Sequence, residues 1–346
     1  MIEPIIMNRD FERIAQIDDY ISLIWTARYY EPGDFEIVVP VTEEYNEYLV
    51  KGNYLIRDDD EHVGIIEDIT KETDEEQAER MIVTGRFAES ILARRIIAEQ
   101  TQLSGTISAG VASLIVDSII DPAIPERKIS NFEIAASGYT DRLDAQYTGK
   151  NLLEVIEDIC RTNHTGFVVT LTEENKFCFR LFKGSDRSYA QEENPFVIFS
   201  AEYDNLLSSK YESVSSSMVT SVLVAGEGEG TERKTLWVDT EGAEGIDRYE
   251  VYKDQRNLST NNGEISDEEY ADQMAEEGME SITRITTAFE GKVYFDNIEY
   301  RRDVYIGDVV VIENKEWNVS INSRLIEVIE SVNEAGEYEV IPTFGT

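Results

Sequence analysis

Hydrophobic and polar residues alternate along the first hundred residues, which is the pattern of half-buried β-strands. Phe35, Ile37 and Val39 occupy every second position, and the same alternation recurs around Met81 and Val83. The runs are separated by turn sequences, at Pro32-Gly33, at residues 58–61 and at residues 73–77. This pattern predicts an N-terminal β-barrel-like domain over residues 1–100.

Helical spacing of apolar residues takes over in three places. Thr42 is placed to cap a short helix that carries Tyr45 on its apolar face. Residues 104–120 and 148–160 each have apolar residues three and four positions apart, which indicates two longer helices. The strands FVVTL and KFCFRLF, joined by TEENK, follow as a hairpin. We therefore predict a small α+β domain over residues 101–200.

Strands return beyond residue 200 and are interrupted once more. Alternating runs occupy residues 205–214, 218–226 and 233–239, and a Gly- and Glu-rich stretch follows them. Ser266 and Glu269 then have the spacing of a capping box at the start of an amphipathic helix. Strand patterns resume at KVYFD, residues 292–296. These patterns predict a second β-barrel-like domain over residues 201–240 and 289–346. They also predict a helix-bearing insertion within that domain, over residues 241–288.

Two distant segments share one arrangement of strands and turns. Residues 52–87 and 307–345 each begin with Gly and a polar residue, continue through an apolar strand, turn on acidic residues and close on a Phe. From the opening Gly to the closing Phe the two segments differ in length by about two residues, as expected if one fold occurs twice. A generic β-meander has the same alternation, so chance similarity is the alternative. We predict that residues 1–100 and the barrel parts of 201–346 share one fold.

The surrounding sequence resembles the tail hub proteins of long-tailed bacteriophages and prophages, also called tail-associated or baseplate hub proteins. The resemblance runs almost from end to end and rests on the order of six segments, SLIWTARYYEPGDFEIVVP, RDDDEHVGIIEDI, VTGRFAESILARRII, TGKNLLEVIEDIC, VLVAGEGEG and YEVIPTFG. It implies an α+β, multi-domain protein in which two related barrels are separated by a small α+β domain.

The same resemblance implies a function and a set of partners. Three copies of such a protein form a pseudo-sixfold ring at the end of the tail tube, in the virion tail tip. The implied partners are the distal tail protein, the tape-measure protein and receptor-binding or fibre proteins. Some members of the family continue into a cell-wall-degrading or fibre domain. Because this sequence stops at PTFGT, we expect that activity to be absent or to reside on another polypeptide.

The charge of the chain bears on which classes of partner it can bind. The chain has 31 Lys and Arg against 70 Asp and Glu, a net charge of −39. Stable nucleic-acid binding needs clustered basic residues, and no basic run is longer than pairs such as Arg94-Arg95 and Arg301-Arg302. We therefore expect no stable nucleic-acid binding, although DNA would pass through the ring of a hub. The acidic surface would either serve solubility or line that passage.

Cysteine usage and hydropathy suggest assembly in a bacterial cytoplasm. Cys160 and Cys178 are the only cysteines and form no CxxC pair, so we expect reduced, buried thiols and no zinc site. The first residues lack a basic segment followed by an apolar core, and no apolar run reaches 18 residues. We therefore expect no secretion signal and no membrane-spanning segment.

No motif has the context that its chemistry needs. The glycines of AGEGEG, residues 225–230, follow a strand, but no Lys-Ser/Thr and no helix come after them, so a hairpin turn is the better interpretation. The acidic residues 58–61 lack the spacing of an EF-hand loop and indicate a solvated hairpin tip. His62 and His164 have no GxSxG elbow nearby. We predict no catalytic residue, no cofactor and no metal.

Aromatic residues suggest contact more than chemistry. Trp25, Tyr29, Tyr30 and Phe35 lie within eleven residues, and such side chains suit either a subunit interface or the core of the domain. Two other function classes stay open beside the hub, an acidic glycosidase or peptidoglycan hydrolase and a carbohydrate-binding adhesin.

Overall fold

The protein is α+β and rich in β-sheet. A computed structural model describes residues 2–73, 78–283, 286–293 and 298–345. Within them the strands form a sheet of 16 strands, a separate pair and a separate three-stranded sheet. The same described residues include four α-helices, which pack beside these sheets. The alternation in the sequence is the origin of this architecture, because it gives each strand one apolar face to bury.

The first repeated unit is formed by the N-terminal strands. Its strands are Ile5–Met7 (β1), Arg13–Gln16 (β2), Ser22–Arg28 (β3), Asp34–Pro40 (β4), Tyr54–Arg57 (β5), Asp60–Thr73 (β6) and Glu79–Phe87 (β7). They pair in the order β3-β4-β7-β6-β5-β1-β2. The short helix α1, Glu43–Tyr48, begins where Thr42 accepts a hydrogen bond from the Tyr45 amide, as predicted.

The middle region packs helices on strands. Its elements are Thr101–Thr106 (β8), Ile107–Ile115 (α2), Phe132–Ile134 (β9), Arg142–Tyr147 (β10), Leu152–Thr162 (α3), Gly166–Leu171 (β11) and Phe177–Phe182 (β12). Both predicted helices and the predicted hairpin of β11 and β12 are confirmed. Its apolar side chains form one continuous core with those of β1, β5 and β6 in the first unit.

The remaining chain forms the second repeated unit and an inserted unit. The elements are Ile198–Ser200 (β13), Leu206–Val214 (β14), Ser221–Ala225 (β15), Thr235–Asp239 (β16), Glu250–Asp254 (β17), Asp267–Ser281 (α4), Thr286–Val293 (β18), Val309–Asn314 (β19), Val319–Val332 (β20) and Tyr338–Gly345 (β21). A turn of π-helix, Val116–Ile120, extends α2, and 3-10 helices lie at Ala88–Arg94, Pro125–Arg127, Ala201–Tyr203, Gly230–Glu232, Gly245–Asp247 and Asn261–Gly263.

The inserted unit is larger than the sequence suggested. The sequence pattern places β15 and β16 in the sheet of the second barrel, but in the structure β15 pairs with β16 on one side and with β17 on the other, in the separate three-stranded sheet. Helix α4 covers this sheet, and Val222, Val224 and Met274 belong to its separate apolar core. Alternation identifies a strand but not its partner, which explains the difference. The capping box at the start of α4 is confirmed.

The expected strand over residues 292–296 begins earlier in the structure. Its first two residues close β18, which starts at Thr286, and residues 294–297 lie outside the described chain. Chain segments that enter and leave the inserted unit lie side by side, because Val219 and Thr283 exchange backbone hydrogen bonds of 2.8 and 3.1 Å. The inserted unit therefore replaces a loop between β14 and β18.

The two repeated units have the same strand order. The second unit pairs as β14-β18-β21-β20-β19, and the first as β3-β4-β7-β6-β5, with antiparallel neighbours throughout. Each long strand also has a bulge at the matching place, beside Ile66 in β6 and beside Leu325 in β20. The predicted match of strand order and direction is confirmed for these five strands. The match does not extend to the next strand of each unit, because β13 pairs with β19 in parallel whereas β1 pairs with β5 antiparallel.

The opening glycines of the two matched segments are equivalent. Gly52 and Gly307 have φ of +88° and +90°, a region that favours glycine. The Gly52 amide donates to the Ile66 carbonyl, and the Gly307 amide donates to the Leu325 carbonyl, each at 2.8 Å. The closing Phe residues are not equivalent, because Phe344 of β21 occupies the place of Gly85 in β7. The turn between β19 and β20 is longer than that between β5 and β6, which shifts the alignment.

Candidate functional site at the junction of two repeated units

The two units are joined edge to edge through one pair of strands. The second half of β20 pairs with β3, from Glu327 opposite Arg28 to Val332 opposite Leu23. The Tyr29 amide extends this ladder by donating to the Ile326 carbonyl at 2.9 Å. This junction makes the sheets of the two units continuous.

A cluster of buried charges lies against this junction. Arg57, at the end of β5, donates from Nη1 to Oε2 of Glu330 on β20 at 3.1 Å. Arg301 pairs with Glu330 and also with Asp60. The Asp60 carboxylate accepts a further hydrogen bond of 2.7 Å from the indole Nε1 of Trp25 on β3. Because an unpaired buried charge is costly, this mutual pairing makes the position of each unit depend on the other.

The predicted hairpin tip at residues 58–61 is only partly solvated. The hairpin of β5 and β6 is confirmed, but the Asp60 side chain is 2% exposed, which corrects the expectation of a solvated acidic cluster. Asp58, Asp59 and Glu61 do face solvent. The sequence pattern could not separate them, since four adjacent polar residues look alike until a partner such as Arg301 is placed.

His62 and Asp60 form a buried ion pair in which the pKa values of both groups are strongly shifted. The His62 Nδ1 lies 2.6 Å from Oδ1 of Asp60. Burial alone would lower the pKa of His62, but the Asp60 charge outweighs this effect and raises the pKa to about 9. Burial would raise the pKa of Asp60, but His62 and Arg301 hold it far below its usual range. At neutral pH both groups are therefore charged, which suits a structural ion pair better than a general base.

A polar cleft opens beside this ion pair. It measures about 520 Å³ and is lined by residues of β5, β6 and the turn after β11, among them Arg57, His62, Thr170 and Glu173. Behind it, burial raises the pKa of the Glu89 carboxyl, whose Oε1 accepts from the Val169 amide at 3.0 Å. Within the described residues, no group of three or more His, Cys, Asp or Glu side chains could hold a metal ion.

The other candidate residues from the sequence lie apart from this cluster. Residues 225–230 end β15 and begin the connection of the β15–β16 hairpin, which runs over residues 226–234, so the predicted hairpin is confirmed. His164 closes α3 in a left-handed conformation with φ of +48°. Cys160 is a buried free thiol, whereas Cys178, expected to be buried, is half-exposed. The four aromatic residues considered for an interface are all buried in this single chain, namely Trp25, Tyr29, Tyr30 and Phe35.

A second buried acidic group attaches the inserted unit to the middle region. Glu276 of α4 accepts from the Asp144 amide of β10 at 3.0 Å, and burial raises the pKa of Glu276 to about 8. On the same helix, Glu277 and Glu280 both pair with Lys253, at 2.8 and 3.2 Å. The Glu276 contact therefore stabilises the position of the inserted unit on β10, whereas the Lys253 pairs hold α4 against β17 within that unit.

Sequence reasoning missed the residues that form the junction cluster. In the sequence Arg301 is only half of a basic pair, and neither Arg57 nor Glu330 belongs to a recognised motif. One signal was present, since Val328, Glu330 and Val332 alternate and place a charged residue at an inward position of an apolar strand. Such a residue needs a buried partner, but the sequence does not say which.

Two sheet edges stay open in the described chain. On the side of β6 that faces away from β7, pairing with β5 ends at Ile65, and no described strand continues along residues 68–73. Strand β14 pairs only with β18 among the described strands. Residues 70–73 are exposed, as are Ser208, Lys210 and residues 212–214 of β14. Native proteins usually cover such long edges.

Membrane insertion through a helix has no support among the described residues, none of whose helices is both long and apolar enough to cross a bilayer.

A family model matches nearly the whole sequence. The model described as siphovirus ReqiPepy6 Gp37-like protein matches residues 3–346. No curated protein matches the sequence.

Three solved structures have a similar fold over 99% of this chain, each at 12% identity. A tail protein from Neisseria meningitidis MC58 has a TM-score of 0.59, with 96% of that chain covered. The 43 kDa tail protein of prophage MuSo2 from Shewanella oneidensis has 0.58, with 98% covered. Prophage tail protein gp18 from Listeria monocytogenes EGD-e has 0.55, with 94% covered. At this identity the similarity concerns the fold.

Proposed function

The chain belongs to the siphovirus ReqiPepy6 Gp37-like family of phage tail proteins, and we propose that it is the hub of a phage or prophage tail tip. Three copies, with two related barrel-like units each, form a pseudo-sixfold ring at the end of the tail tube. The ring connects the tube to the components that recognise the host. Its location is the virion tail tip, after synthesis in the bacterial cytoplasm.

One observation carries this proposal. Two units with the same five-strand order are already joined through β3 and β20, while the matching edges of β6 and β14 have no partner among the described strands. A head-to-tail contact that repeats around an axis gives a closed ring when the rotation closes. Three chains with two units each would place six similar units around that axis, which suits a sixfold tube.

The proposed partners follow from this position. The distal tail protein lies above the ring, the tape-measure protein ends inside it, and receptor-binding or fibre proteins attach outside. We propose four regions with the boundaries predicted above, except that the insertion extends over residues 219–283, because β15, β16 and α4 share one core and β17 pairs with β15. The net charge of −39 favours passage of DNA through the ring over retention of DNA.

The role we propose is structural and not enzymatic. The buried His62–Asp60 pair is fully charged at neutral pH, and the α4 carboxylates are held in contacts with β10 and Lys253. Neither arrangement offers a base and an acid of matched pKa at a cleft. The alternatives are an acidic glycosidase or peptidoglycan hydrolase and a carbohydrate-binding adhesin.

Electron microscopy of the assembled particle tests the proposal. Antibody labelling of this chain should mark the end of the tail tube, and averaged images there should have threefold symmetry with six similar lobes. Labelling elsewhere on the particle, or a monomeric chain at the tip, would overturn it. Turnover of peptidoglycan by the pure protein, lost on replacement of one carboxylate, would favour the hydrolase instead.

A further inference from the structure

We propose that the open edge of β14 pairs with the open edge of β6 in a second copy of this chain, in the same register by which β3 pairs with β20 inside one chain. The inference deepens the proposed function and rests on it, since it names the strands that close the ring. The internal junction serves as its template.

Strand pairings inside each unit fix which residues are equivalent. Matching bulges align β6 with β20, so that Glu72 corresponds to Ser331. Phe35 pairs with Gly85, and Phe289 pairs with Phe344 at the equivalent place. This second match aligns β4 with β18.

The outermost strands of the two units, β3 and β14, align in the same way. Trp25 lies opposite Phe35, and Tyr211 lies opposite Phe289, so β3 aligns with β14 and Ile24 corresponds to Lys210. Burial agrees with this alignment. Trp25 belongs to the core of the first unit, and Tyr211 packs against the core of the second.

The register of the internal β3–β20 pair can be applied unchanged to the open edges of β14 and β6. Ile24 lies opposite Ser331 inside the chain, which predicts Lys210 opposite Glu72 of the second copy. The full predicted ladder has Ser209, Lys210, Tyr211, Glu212, Ser213 and Val214 opposite Thr73, Glu72, Lys71, Thr70, Ile69 and Asp68.

The predicted pairing of Lys210 with Glu72 distinguishes this register from others, because it places opposite charges across from each other. In the internal β3–β20 pair, the Tyr29 amide donates to the Ile326 carbonyl, so these two residues form a hydrogen-bonded pair. Every second pair along the ladder is of this kind, and the Ile24–Ser331 pair is therefore a non-hydrogen-bonded one. Side chains approach most closely at such non-hydrogen-bonded positions. Opposite charges therefore meet at the position of closest approach, where Lys210 keeps Glu212 of its own chain as a neighbour and Glu72 keeps Arg80.

The predicted contact differs from its template in polarity. Inside the chain, Leu23 faces Val332 and Ala27 faces Val328, and these residues are buried. At the open edges the corresponding residues are mostly polar and exposed. A polar edge keeps the free chain soluble until a copy with the same register covers it. The Arg28–Glu327 ion pair of 2.7 Å has no counterpart, since Val214 faces Asp68.

Disulfide trapping between copies tests the register. The full-length Lys210→Cys variant is mixed with the full-length Glu72→Cys variant and oxidised, and covalent dimers are measured on non-reducing gels. Lys210→Cys mixed with Thr70→Cys is the matched control, because Thr70 lies on the same face but two residues along the strand, where the distance is too long for an unstrained disulfide. Each single variant and the unsubstituted protein control for Cys160 and Cys178.

The expected result is a several-fold larger dimer yield for the 210–72 mixture than for the 210–70 mixture. Equal yields, or a larger yield for the control, would overturn the register. A disulfide accumulates even from a sparsely populated complex, so the test does not require a stable trimer.

The double variant Lys210→Cys with Glu72→Cys separates this inference from the proposed function. Covalent products that stop at three chains support both, because the third link closes the ring. A ladder that continues beyond three chains supports the strand pairing and overturns the trimeric ring. A threefold ring in the microscope without preferential 210–72 linkage overturns the pairing and leaves the hub function intact.

Discussion

Arg57 and Glu330 form an ion pair across the junction of the two repeated units, with 3.1 Å between Nη1 and Oε2 and with side chains that are 1% and 3% exposed. One residue ends a strand of the first unit and the other lies in the long strand of the second. The pair therefore makes the junction sensitive to single charge substitutions.

Replacing one member of this pair should destabilise the protein strongly. Glu330→Leu leaves the Arg57 and Arg301 guanidinium groups with fewer buried partners, and removal of one partner of a buried ion pair costs about 3–5 kcal/mol. Urea unfolding monitored by tryptophan fluorescence measures the loss. Glu334→Gln is the control, since that side chain is 72% exposed and should change stability by less than about 0.5 kcal/mol. Equal stability of the two variants would contradict a role of the cluster in the junction.

Stability should fall as the pH rises above the ordinary pKa of histidine. The pKa of His62 is raised to about 9 in the folded chain by Asp60, against about 6.5 in the unfolded chain. A raised folded pKa contributes stability that is fully present below pH 6.5 and is lost as the pH passes 9. The loss between pH 6.5 and 9.5 should approach about 3 kcal/mol.

Two variants identify His62 as the source of that pH dependence. His62→Gln should remove most of the loss between pH 6.5 and 9.5 and should be less stable at pH 6.5. Burial lowers the pKa of His164, so His164→Asn should leave the loss in this window unchanged. Unfolding free energies over the pH series give the comparison, and an unaltered slope in His62→Gln would assign the effect to another group.

Alanine should be tolerated differently at the two equivalent glycines. Gly52→Ala and Gly307→Ala both place a side chain at positive φ, which costs about 1–2 kcal/mol. A Cβ at Gly307 would also lie 2.4 Å from the buried ring of Tyr29, whereas at Gly52 it meets the movable end of Arg9. We expect Gly307→Ala to be the more destabilising of the two in thermal unfolding. Gly138→Ala, with open space around its Cβ, should be close to neutral.

The inserted unit should be removable at its structural boundaries. Replacing residues 216–284 with a Gly/Ser loop as short as residues 29–33 should keep cooperative unfolding, because that length already joins β3 to β4 in the first unit. Loss of the contacts between Glu276 and β10 would lower the melting temperature moderately.

A deletion at the boundaries suggested by the sequence serves as the comparison. Replacing residues 243–287 removes β17 and α4 but leaves β15 and β16, so Val222 and Val224 lose the side chains that cover them. This variant should be insoluble or molten, as judged by gel filtration and near-UV circular dichroism. A soluble, cooperative 243–287 deletion would show that α4 is dispensable to the small sheet.

The sequence by itself determined the local elements and the repetition. Caps at Thr42 and Ser266, helical spacing in α2 and α3, and the matched segments beginning at Gly52 and Gly307 all depend on residues close together in the chain. Local propensity and turn chemistry act over such short distances, so a pattern is enough to predict them.

Only the tertiary structure decided which strands are neighbours and which charges are buried. Strand β15 pairs with β16 and β17 and not with the second unit, and Asp60 is buried at the tip of an acidic turn because Arg301 and the Trp25 indole reach it from distant parts of the chain. Strand alternation specifies a face but not a partner, and a carboxylate has the same appearance in a sequence whether water or an arginine neutralises it. Long-range pairing therefore set the junction, and within the described chain it left the edges of β6 and β14 without a partner strand.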